Sequence, residues 1–172
     1  MTTDLLTLVE LLAPGDVEIT RAVRSAMDEP AVYVERHAKT LRLRGISAPH
    51  SELPVIAFSD ALIEHGLSEE LDWREMPAVA IQTVWSLRCI PSGAAVSEMV
   101  PTELEADEER PCIDALRLAE RELARAGLAL RIFNMRNDAY LVVVVEDHAI
   151  PAVEGAAKAA DLPLQPPSLY TG

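Results

Sequence analysis

Apolar residues recur along this chain with two periods, near 3.6 and near 2, and the change from one to the other marks out its elements. Leu5, Leu8, Val9 and Leu12 predict a helix over 4–12, closed by Pro14-Gly15. Ile19, Val23 and Met27 predict a second over 16–27. Asp16 is its expected N-cap, because a short carboxylate accepts the free N–H groups of a first turn. Glu29-Pro30 breaks it, since a residue before proline disfavours the helical region. A third helix is expected over 31–44, with Val34, Ala38 and Leu41 as its buried line and Gly45 at its end. Pro54 opens a fourth, with Phe58 and Leu62 inward, and Gly66 stops it.

Leu71 and Trp73 then alternate with Glu70, Asp72 and Arg74, the period of a short half-buried strand at a sheet edge. Pro77 begins a fifth helix through Arg88, with Ala78, Ile81 and Trp85 on one face. Residues 91–110 form a long connection in which Thr102 to Glu105 matches a capping box. Pro111 to Ala126 is a sixth helix, lined by Cys112, Leu116, Ala119 and Leu123, with Arg117, Arg121 and Arg125 as a solvated ridge. Strands over 128–134 and 139–146 flank Asn134 to Asp138 as a hairpin. Leu141 to Val145 is apolar on both faces, so the second of these strands belongs in the middle of a sheet. Ile150-Pro151 leads into a seventh helix to Ala160.

These elements predict an α+β fold: a small, mainly antiparallel three-stranded sheet packed by helices, with a helical N-terminal layer. The expected divisions are 1–50 for that layer, 51–161 for the α+β core and 162–172 for a Pro-rich tail, in one compact domain overall. Leu71, Trp73, Leu116, Leu123, Leu130, Ile132, Val142 and Val144 are the expected core.

Composition alters the picture mainly through charge. Residues 1–50 hold seven acids and six bases, and residues 51–172 hold twenty-one acids and nine bases, so nearly all of the net −13 belongs to the later part. A field of that sign repels nucleic acid and anionic lipid and draws in a basic partner. The acids crowd at Glu103, Glu105, Glu108 and Glu109, whereas Arg36, Lys39, Arg42 and Arg44 make 31–44 the one basic element. No run approaches the ~18 apolar residues of a membrane span, and the N-terminus lacks a basic leader. Two separated cysteines, Cys89 and Cys112, in apolar helical settings fit buried free thiols and a reducing cytoplasm. Arginine in place of lysine (Lys39 and Lys158 only) is a compositional mark of a high-GC bacterial source.

Catalytic chemistry finds little purchase. His37, His50, His65 and His148 are widely spaced without zinc-ligand intervals, and they read as surface or capping residues. There is no nucleophile elbow and no phosphate-binding glycine loop. No cofactor and no metal is therefore expected. Asp72, Glu75, Asp138 and Asp147 could meet at one rim of the sheet and serve a metal-dependent hydrolase. The simpler reading has Asp72 and Glu75 capping the helix at Pro77 and Asp138 stabilising a turn. Trp73 is core on the simplest reading, and a binding anchor if it is exposed beside Asp72 and Glu75.

At Leu71-Asp72-Trp73-Arg74-Glu75 and Asn137-Asp138-Ala139-Tyr140 the chain resembles an uncharacterised bacterial family, a domain of unknown function. Its members carry Asp-Trp-(Lys or Arg)-Glu after a helix and Asp-x-Tyr in a late hairpin. The resemblance covers about residues 54–147. It implies kinship with small acidic proteins of the immunity or antitoxin kind, and no activity. The function expected from residues and resemblance together is that of a non-enzymatic acidic protein that masks a basic protein partner, such as a toxin domain. Asp72, Trp73, Glu75, Glu103, Glu105, Glu108, Glu109 and Asp138 are its expected contact residues. A metal-dependent hydrolase and a homo-oligomeric scaffold are the alternatives.

Overall fold

The computed structural model describes residues 2–90, 111–133 and 139–170, with only the backbone of residues 2, 3 and 111. Four helices come first: α1 (Thr2–Leu12), α2 (Val17–Asp28), α3 (Pro30–Arg36) and α4 (Ala38–Leu43). They are followed by α5 (Leu53–Glu64), β1 (Ser68–Asp72), α6 (Pro77–Ser86) and α7 (Pro111–Arg125). Then come β2 (Leu128–Phe133), β3 (Ala139–Glu146), α8 (Ile150–Ala159) and β4 (Leu164–Gln165), with single 3-10 turns at Asp147–Ala149 and Pro167–Leu169.

The fold is α+β, and the sheet is antiparallel throughout, in the order β1-β3-β2-β4. β3 is central, running against β1 from Ser68↔Val143 to Asp72↔Ala139 and against β2 from Leu128↔Glu146 to Phe133↔Leu141. Its five residues Leu141 to Val145 are all buried, as a strand covered on both faces requires. One face presents Phe133, Leu141, Val143 and Val145 to α1, α2, α5 and α8. The other presents Leu71, Leu130, Ile132, Val142 and Val144 to α6 and α7. A third cluster (Ala26, Tyr33, Val34, Leu41, Leu53, Ala57) ties α3 and α4 to α2 and α5.

The expected core residues other than Trp73 all lie in the α6–α7 cluster. Four features depart from expectation. The sheet has four strands, because β4 pairs Leu164 and Gln165 with Phe133 and Ile132. The C-terminal segment is correspondingly held. Arg117 donates to the carbonyls of Pro167 and Tyr170, at 3.3 and 3.1 Å, and Glu120 accepts from the N–H of Ser168, so Arg117 leaves the solvated ridge. The helix over 31–44 is interrupted at His37, whose ring stacks on Tyr33 with centroids 4.2 Å apart. Finally, β1 ends at Asp72, which leaves Trp73 outside the strand and 37% exposed. There the Asp72 carboxylate accepts the Arg74 N–H at 2.8 Å and its carbonyl accepts the Glu75 N–H at 2.9 Å, so the chain turns before the alternation is complete.

Candidate protein-binding surface

The turn after β1 builds an apolar surface with an acidic border. Trp73 stands outward, with the Arg74 guanidinium 4.3 Å from its ring centroid. Met76 and Val79 follow at intervals of three, which places them about one helical turn apart at the start of α6. They are 66% and 41% exposed. α6 turns Ala80, Ile81 and Val84 into the core, and that leaves Val79 on the outer side. Ala78, expected inward, is exposed. Trp73, Met76 and Val79 are three of seven large apolar side chains exposed among the described residues, and only they lie within three positions of one another in sequence.

Asp72 and Glu75 edge this surface. Glu75 accepts the N–H of Met76 at 3.0 Å. The two acids thus close the turn, and neither caps the first turn of α6, whose N-cap Met76 has no side-chain acceptor. Their charge reaches inward to Cys112 at the start of α7. Burial above all, and then Glu75 and Asp72, push that thiol up to about 12. Burial likewise raises Cys89. Both cysteines are thereby held as thiols and lack the electropositive setting of a nucleophile.

Asp147 is not part of this rim. Asp72 pairs with Ala139 at the first residue of β3, whereas Asp147 follows its last, so the strand of eight residues separates them by roughly 25 Å. The expected meeting of Asp72, Glu75 and Asp147 at one rim therefore fails geometrically. Among the described residues, no three His, Cys, Asp or Glu side chains gather as metal ligands would. Asp138 and the acids Glu103, Glu105, Glu108 and Glu109 lie outside the described residues, as does the capping box.

Two polar clusters escaped the sequence reading, since their members are far apart in the chain. Asp16 caps α2 through the N–H groups of Glu18 and Ile19, and its other oxygen lies 2.9 Å from Nδ1 of His65, the C-cap of α5. Arg44 bridges Asp60 at 2.7 Å and Glu70 at 3.1 Å, joining the end of α4 to α5 and β1. Burial pushes the Asp60 carboxyl up and Arg44 opposes it, so the shared guanidinium offsets part of a desolvation cost. An open groove of about 640 Å³ runs between α1, α2 and α3. Arg21, Arg24 and Arg36 line it together with Glu10, Asp16, Asp28 and Glu29, and this mixture selects no single sign of ligand. Among the described residues no helix is long and apolar enough to cross a membrane.

Comparison with known proteins places the chain without assigning it an activity. A family model described as Domain of unknown function (DUF6630) matches residues 4–167. The match takes in α1 to α4 and β4, which the resemblance over 54–147 left out. No curated protein and no solved structure matches.

Proposed function

Starting from the fact that this chain belongs to the DUF6630 family, whose description carries no activity, we propose from its own surface that it is a binding protein for a basic protein partner. The observation that carries this reading is the exposed Trp73–Met76–Val79 surface bordered by Asp72 and Glu75. Adjoining exposed apolar side chains on a protein surface mark contact sites. Tryptophan is enriched among the few residues that dominate binding energy, while flanking charges chiefly set association rate and partner sign. Glu103, Glu105, Glu108 and Glu109, close before α7 in sequence, add steering charge, and Asp138, one residue before β3 in sequence, is a further acid of the contact set. The work done is masking: a basic surface is covered and its own contacts are blocked. A toxin domain held by an immunity or antitoxin protein in a bacterial cytoplasm is the partner class that fits this chemistry.

Photo-crosslinking in the native host tests the reading. A photoreactive residue at position 73 should trap a basic protein that a control at Val17, exposed on α2, does not. With that protein purified, Trp73→Ala should weaken binding by about 2 kcal/mol or more. Replacing the four loop glutamates with Gln should slow association roughly tenfold at low salt and little at high salt. Equal trapping at both positions, or affinity indifferent to Trp73, would overturn the proposal.

A further inference from the structure

The Trp73 surface has a neighbour of opposite sign. Arg44, the C-cap of α4, reaches Glu70 of β1 at 3.1 Å, so the end of α4 lies beside that strand. Glu70 and Asp72 leave β1 on the same face, two residues or roughly 7 Å apart. Through this contact the Arg44 end of the basic α3–α4 segment lies near the acidic turn after β1, at one edge of the molecule. On this segment, Arg36, Lys39 and Arg42 are exposed, and none of them makes an ion pair among the described residues. Leu43 stands 85% exposed among them. Each half thus combines a predominance of one sign with bare apolar area: Leu43 with Arg36, Lys39 and Arg42 against Glu35 on the basic side, and Trp73 and Met76 with Asp72 and Glu75 against Arg74 on the acidic side.

We propose that this edge pairs with a second copy of the chain about a two-fold axis. The Arg36–Lys39–Arg42–Leu43 side of each copy then covers the Asp72–Trp73–Glu75–Met76 side of the other. A two-fold contact uses one patch twice, so it requires a self-complementary surface, and two adjoining halves of opposite sign meet that requirement. The net charge of −13 on each chain opposes association. At about 0.15 M salt, however, charges beyond ~8 Å are largely screened, while pairs in contact are screened far less. The second copy thereby supplies the basic chemistry that a foreign partner would bring to Trp73, and the two occupants compete. The test uses the chain alone, so its outcome stands apart from that of the crosslinking.

Sedimentation equilibrium across the micromolar range should show a limiting mass of twice 18.8 kDa. Reversing the basic half (Arg36→Glu, Lys39→Glu, Arg42→Glu) or the acidic half (Asp72→Lys, Glu75→Lys) should leave a folded monomer by circular dichroism. Mixing the two reversed proteins should restore a 1:1 dimer, because the same sign then predominates on both halves of each. Leu43→Gln, at a side chain too exposed to support folding, should raise the dimer Kd by about tenfold. A wild-type monomer at every concentration, a mass that grows past the dimer, or a dimer unaffected by Leu43→Gln and by both reversals would each overturn the proposal.

Discussion

Asp16 does two jobs with one carboxylate. One oxygen accepts the N–H groups of Glu18 and Ile19, and the other meets His65 across the junction of α2 and α5. The Ile19 N–H first, then the Glu18 N–H and His65, hold this carboxyl below its ordinary value. A depressed carboxyl stabilises the fold above its unfolded value, and that contribution disappears as pH falls through the folded one. Asp16→Ala should therefore cost about 1 kcal/mol in urea unfolding at neutral pH. The difference from wild type should shrink once the medium is more acidic than about pH 4. An equal loss at both pH values would mean that the ionised cap is not its source. The cap was legible in the sequence because an N-cap acts on its own next turn. The His65 contact was not, since 49 residues separate the pair. Cys112 carries a second prediction at this scale. With its thiol raised to about 12, iodoacetamide near pH 8 should label it only after unfolding, as peptide mass mapping will show.

Among the elements, junctions carry most of the information. Gly127 joins α7 to β2 at φ +72, with nothing within 4 Å of where a Cβ would stand. Gly127→Ala consequently costs about 1 kcal/mol through backbone strain alone, a figure that thermal unfolding can check. At the other end of the chain, Arg117 and Glu120 bind the Pro167–Tyr170 segment, and Tyr170 packs edge-on against Tyr140. Arg117→Gln should speed hydrogen exchange over 164–170 and leave β3 protected; slowed or unchanged exchange there would contradict the tether. The long apolar run of β3 was readable because burial on both faces leaves no polar alternation. β4 was not, since two residues cannot display a period of two. The interruption at His37 was equally hidden, because the basic residues continue unchanged across it.

Across the whole molecule, the sheet is the shared wall of two apolar clusters. Leu8 on α1 belongs to one, with Phe58 and Phe133 meeting edge-on at 5.6 Å, while Trp85 packs against the other. β3 contributes to both clusters from alternate residues, so losing one face should release the other. Leu8→Ala, at a fully buried site, should cost about 2–5 kcal/mol. Tryptophan fluorescence, in which Trp85 reports the opposite side, should shift its unfolding midpoint together with circular dichroism. Separate midpoints would show that the N-terminal helices unfold on their own.

The sequence by itself determined most of the helices and the three longer strands, that β3 is central, and that Asp16 and Pro77 punctuate them. Those features depend on periodicity and on neighbours a few residues apart, and both are written in local order. Only the tertiary structure decided that Trp73 faces outward beside Met76 and Val79, and that Asp147 stands a strand's length from Asp72. It alone brought Arg44, at the end of α4, onto Asp60 of α5 and Glu70 of β1. Such outcomes turn on where a strand stops pairing and on which distant elements then pack together. Alternation of apolar and polar residues specifies a face, but the partner that covers it, or leaves it bare, is supplied by the rest of the chain.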